Sequence, residues 1–124
     1  MSDPNLLHVA ALAGDARAVA AALASVPIDA PTAGGETALM LAAQSGDLAS
    51  VELLLDRGAV VDATTPQGNT ALMMAAACGR TAVIGCLVAR GAAIGHLNRF
   101  GLGPRDWARW ASDPAAVLPL LEGR

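Results

Sequence analysis

Twenty-five residues of this chain recur 33 positions further on. The stretch "GETALMLAAQSGDLASVELLLDRGA" at 35–59 returns as "GNTALMMAAACGRTAVIGCLVARGA" at 68–92. Gly35, Thr37, Ala38, Leu39, Met40, Ala42, Ala43, Gly46, Leu54, Arg57, Gly58 and Ala59 each meet an identical residue 33 positions later. Chance similarity does not keep glycines and a threonine in phase. A period of this length marks one supersecondary unit, and such a unit buries its apolar side only by stacking on its neighbours.

Each unit can be read locally. Thr37 and Thr70 stand where a hydroxyl would accept a backbone N–H of a first helical turn. "ALMLAAQS" and "ALMMAAAC" are then helices of about two turns, too short to persist alone in water. Gly46 and Gly79 end them at a tight turn that calls for a left-handed backbone. Second helices follow, "LASVELLLD" and "TAVIGCLVA", stopped by Gly58 and Gly91. Gly85 lies inside the latter, where glycine costs about 1 kcal/mol relative to alanine. The segments "AVVDATTPQG" and "AAIGHLNRFG" hold turn formers and read as extended, hairpin-like connections.

These residues resemble the ankyrin repeat. Its pattern of G-x-T-P-L-H-x-A-A, G-H-x-x-V-x-x-L-L and G-A-x-x-N is closely matched at 35–62 and 68–92. A looser N-terminal copy keeps Leu7, His8, Ala10, Ala11, Gly14, Val19 and Leu23, with Pro27 placed to stop its second helix. The last copy keeps Gly101, Pro104, Ala108, Leu120 and Leu121, but has Gly103, Arg105 and Ser112 where Thr, Leu and Gly would stand. The resemblance implies one all-α domain over 1–124: an ankyrin-repeat solenoid of about four stacked helix-turn-helix units with short hairpin-like connections. Their bounds fall near 5–30, 31–63, 64–96 and 97–122, the first and last serving as caps. Both central units carry Thr-Ala-Leu-Met for Thr-Pro-Leu-His, and Gly95-His96 replaces Asn-Ala. Losing the proline and the polar histidine contact predicts modest stability.

Composition agrees with packed helices. Apolar residues are 54% of the chain, much of that alanine, with one Phe, two Trp and no Tyr. Lysine is absent beside abundant Ala, Gly and Arg, a bias of GC-rich bacterial genomes. Net charge is −3, with eight Arg scattered among eleven acids, which argues against nucleic-acid binding. The apolar N-terminus lacks a basic leader segment and is broken by Asp15 and Arg17, so neither a signal peptide nor a membrane span is expected. Cys78 and Cys86 make no disulfide framework, which points to the reducing cytoplasm.

Catalytic chemistry is not expected. His8 takes the family's structural histidine position, and His96 reads as a solvated residue at a hairpin base. Cys78 and Cys86 are eight positions apart, a spacing that matches no zinc-knuckle signature. "GLGPRD" at 101–106 lacks both the Walker ending and a complete G-x-G-x-x-G. Asp47, Asp62, Asp106 and Asp113 fall at turns and helix starts, where Asp caps. The chain therefore reads as a non-enzyme without cofactor or metal.

The resemblance instead implies a protein partner held on a concave face of hairpin tips and first helices. Carried over by position, the tips supply Gly34, Glu36, Gln67, Asn69, Arg99, Phe100 and Leu102. The first helices supply Leu12, Met40, Gln44, Ser45, Met73, Ala77, Cys78, Asp106, Trp110 and Ala111. Met40 and Met73 read either as an adaptable binding surface or as filler between units. All three aromatics lie within "FGLGPRDWARW" at 100–110, and repeat phase divides them. Trp107 aligns with Leu41 and Met74 and is expected in the core. Trp110 aligns with Gln44 and Ala77, and Phe100 with Gln67, so these two are candidates for a partner hot spot. The expected function is a soluble, monomeric adaptor, in one version a bacterial inhibitor or immunity-type protein. The alternatives are a self-assembling (homodimeric) module and an exported effector.

Overall fold

Two repeat-equivalent hydroxyls set the register of the array. Thr37 Oγ1 accepts the backbone N–H of Met40, and Thr70 Oγ1 that of Met73, each at 3.4 Å. These caps start α3 (Ala38–Ser45) and α5 (Ala71–Cys78). The computed structural model describes residues 5–122; both ends of the expected 1–124 span lie outside them. Ahead of the central units come α1 (Leu6–Ala13) and α2 (Ala16–Ala22). Partners of α3 and α5 are α4 (Leu48–Asp56) and α6 (Thr81–Ala89). Gly14, Gly46 and Gly79 turn the chain between paired helices in the left-handed conformation, as expected.

The chain closes with α7 (Pro104–Trp107), prolonged by a 3-10 turn at Ala108–Trp110, and α8 (Pro114–Val117), prolonged by Leu118–Leu121. Among the described residues there are eight α-helices and no strand. First helices stack α1–α3–α5–α7, while α2–α4–α6 and the final 3-10 turn form a second layer. The result is an all-α helix-turn-helix solenoid.

Small residues make the stack possible. Ala42, Ala43, Ala75, Ala76 and Ala108 are all fully buried, so neighbouring first helices meet nearly backbone to backbone. Leu7, Leu39 and Leu72 form one buried column and Val51, Ile84 and Val117 another. The last unit departs from this register. Leu120, which is in repeat phase with Leu87, is 36% exposed, and its neighbour Leu121 is fully buried instead. A 3-10 turn advances side chains by a different angle than an α-turn, so the core position passes to the next residue. Pro27 is not the stop of α2, because that helix has already ended at Ala22.

Connections between units are three equivalent turns, 32–36, 65–69 and 98–102. In each, the backbone N–H of Thr32, Thr65 or Asn98 donates to the carbonyl of Glu36, Asn69 or Leu102 at 2.8–2.9 Å. The side-chain oxygen of the same residue accepts an N–H from across the turn. Gly35, at φ +87, packs against the next turn so tightly that an added Cβ would lie 2.3 Å from Pro66 Cδ. A second ladder joins the connections further along. Val60 N–H donates to Asp29 and Ala93 N–H to Asp62, at 3.1 and 2.9 Å. The next residue in that phase is Gly95, which has no carboxylate.

Two substitutions test this account by chemical denaturation. Gly85 is exposed within α6, and a Cβ added there meets nothing within 4 Å. Gly85→Ala should therefore stabilise the protein by about 0.5–1 kcal/mol. Gly35→Ala combines a strained φ with a collision against Pro66, and should destabilise by at least about 1–3 kcal/mol.

Candidate functional site

The position three residues into each first helix shows why part of the expected face is not a surface. It holds His8, Met40, Met73 and Asp106, and side chains there lean back towards the helix start and beneath the adjoining turn. His8 is buried, and its Nε2–H donates to the carbonyl of Ala30 at 2.6 Å. Met40 is 1% exposed and its sulfur accepts the N–H of Thr37 at 3.4 Å. Met73 is 0% exposed. Asp106 Oδ2 accepts the N–H of Gly103 at 2.8 Å. Met40 and Met73 therefore fill the space between units and leave the expected binding surface.

The remaining expected residues form two groups. At the C-terminal end the turns 65–69 and 98–102 are tied together. Asn98 Nδ2 donates to Asn69 Oδ1 at 2.9 Å, and Arg99 N–H to the carbonyl of Gln67 at 2.8 Å. The Arg99 guanidinium reaches the carbonyl of Pro66 at 3.2 Å. Gln67 and Arg99 are exposed, and Asn69 and Leu102 half-buried. Phe100 is 74% exposed at the tip. His96 differs from the expected solvated histidine, because its Nε2–H donates to the carbonyl of Gly68 at 2.9 Å and joins the same brace.

Trp110 is 61% exposed. Its ring meets that of Trp107 edge to face, with centroids 5.4 Å apart, a favoured aromatic geometry. Trp107 is half-buried and packs against the core, but its indole N–H is enclosed without an acceptor.

At the N-terminal end, Glu36 and Gln44 line a groove of about 410 Å³ with Asn5, His8, Val9, Leu12, Thr32 and Leu41. Val9 and Leu12 are exposed, and Val9 stands in repeat phase with Leu41, Met74 and Trp107. Sequence reasoning missed Val9 and Thr32. Repeat phase hid the former, because its equivalents Leu41, Met74 and Trp107 read as core and it is exposed, whereas the latter was legible from its turn-forming side chain. Asn98 was missed for the same reason as Thr32. Cys78, at the end of α5, is exposed.

Among the described residues no three His, Cys, Asp or Glu side chains gather as a metal site. Cys86 is half-buried, and burial, with the Glu52 carboxylate adding to it and Arg90 opposing, pushes its thiol up. It is therefore less ionised at neutral pH than an ordinary cysteine and a poor nucleophile. Among the described residues no helix is long and apolar enough to cross a membrane.

Short helical pairs stacked through buried alanines and joined by equivalent hydrogen-bonded turns define a helical repeat protein. A family model of ankyrin repeats (3 copies) matches residues 5–98, and the chain belongs to the ankyrin repeat family. Such repeats are generally protein–protein interaction modules. No curated protein matches the chain. The family match stops before α7, where four-residue helices and 3-10 turns replace the regular pair.

The two tryptophans separate by stability. Trp107→Ala should cost about 2–3 kcal/mol in urea denaturation, below the ~3–5 of a fully buried aromatic. Trp107→Phe, which removes the orphaned donor, should cost less than about 1 kcal/mol. Trp110→Ala should also cost less than about 1 kcal/mol. Timed alkylation at neutral pH should modify Cys78 well before Cys86, the order that exposure and the raised Cys86 pKa require.

Proposed function

We propose that this chain is a non-catalytic adaptor that binds one protein partner through the face made by its turns and first helices. The observation that carries this reading is the exposure of Val9 and Leu12 on α1 and of Phe100 and Trp110 at a turn and after α7. Large exposed apolar side chains on turns and first helices suit a recognition surface. The binding residues are Glu36, Gln44, Gln67, Asn69, Arg99, Phe100, Leu102 and Trp110, joined by Val9 and Leu12; Cys78 stands at the margin.

Residues 97–122 act as a capping fourth unit, making one array with the units at 5–30, 31–63 and 64–96. Burial of Leu121 and Val117 against the third unit supports this. Two unpaired thiols, one of them exposed, suit a reducing cytoplasm. A compact array of this kind fits an inhibitor or immunity-type role in a bacterium, occluding a single target enzyme or toxin.

The test is capture from the native cell. Wild-type protein should retain a specific partner, and Phe100→Ala with Trp110→Ala should lose it while circular dichroism stays unchanged. Undiminished capture by the folded double variant would remove the aromatic end from the binding surface. Sedimentation at micromolar concentration should show a monomer, and a dimer that the double variant abolishes would favour self-assembly instead.

A further inference from the structure

The groove at the N-terminal end of the face has a chemistry of its own. One wall is aliphatic, built by Val9 and Leu12 on α1 and by Leu41 on α3. The other end is Glu36. Its Oε1 accepts the hydroxyl of Thr32 at 2.9 Å, which orients the carboxylate, and among the described residues no cation forms an ion pair with it. The one ion pair among the described residues, Arg90 to Asp56 at 2.7 Å, lies on second helices. Arg80 donates to the carbonyl of Gln44, near the end of α3 away from Glu36. Gly34 leaves room for the carboxylate, since a Cβ there would approach Glu36 Oε1 to 3.0 Å.

An oriented, half-buried carboxylate without a counter-ion beside exposed aliphatic side chains is complementary to a cation carried next to an apolar residue. We infer that the groove between α1, α3 and the turn 32–36 binds a linear segment of a partner protein that presents an aliphatic side chain beside an Arg or Lys. The aliphatic side chain enters between Val9, Leu12 and Leu41, and the cation pairs with Glu36. This rests on the adaptor reading and sharpens it, assigning a sequence preference to one half of the face.

Glu36 also precedes the cap of α3, where a carboxylate favours the helix start. That role affects stability and carries no preference among ligands. Peptide selection separates the two. A random linear peptide library should be displayed against the full chain and against Glu36→Gln, whose amide oxygen can still accept from Thr32. Wild type should enrich Leu, Ile or Met next to Arg or Lys. Glu36→Gln should bind the selected peptides about tenfold more weakly and select without the basic residue. Leu12→Ser should lose them altogether, and Phe100→Ala with Trp110→Ala should keep them.

An unchanged basic preference with Glu36→Gln would overturn the inference, as would a library that yields no enrichment. Selected peptides that depend on Trp110 and ignore Leu12 and Glu36 would also overturn it, yet would leave the adaptor reading standing. Loss of native partner capture on both halves' variants alike is the separate outcome by which that reading is judged.

Discussion

Among the described residues no helix exceeds nine residues, and isolated helices of that length are marginal in water. Every element is therefore held by the unit beside it, and contact between units is the constraint on which the structure depends. Alanines at the centre of the first helices allow a close approach that larger side chains would prevent. Gly35 against Pro66 continues the same closeness into the turns. Side chains reach distant backbone carbonyls, His8 to Ala30 and His96 to Gly68 within a unit and Arg80 to Gln44 between the second and third. The stacking is apolar, and its polar links answer the demand that enclosed backbone groups find partners.

The last helix pair departs from the pattern of the others. The carboxylate ladder of Asp29 and Asp62 is not continued at Gly95, its next position in phase. Arg105 stands where Leu39 and Leu72 are buried, placing a charge on the outer side of the last helix pair. Trp107 packs half-buried against the core from the short helix α7.

The period of 33 was legible because repeat identity preserves capping and turn residues, whose roles are local. Repeat phase also separated Trp107 from Trp110, since a position in one unit predicts the burial of its equivalents. It failed at Met40 and Met73. Their side chains are long and flexible, and only the position of the neighbouring turn decides whether they fold beneath it or lie on the surface. His96 and Asn98 were missed for a related reason. Both look like loop residues, and their partners Gly68 and Asn69 lie 28 and 29 positions away, where no local pattern displays them. The groove at Glu36 depends on two units meeting, so the sequence held its parts without showing their conjunction.

The two halves of the face differ in how firmly they are supported. Val9, Leu12 and Glu36 sit on regular helices and on a turn locked by Gly35, so the groove they form is close to preorganised. Phe100 and Trp110 belong to a unit whose α-helices have four residues each, and Trp110 is steadied chiefly by the edge of Trp107. Local stability follows burial and regular hydrogen bonding, so the last unit should open more readily than the rest. A ligand that covers Trp110 would bind the docked unit and not the open one, and would stabilise it by mass action. Contacts at that end are therefore made partly at the cost of ordering a cap, whereas contacts at the Glu36 end carry no such cost. A partner that engages both would gain recognition from the rigid half and couple its binding to folding through the other.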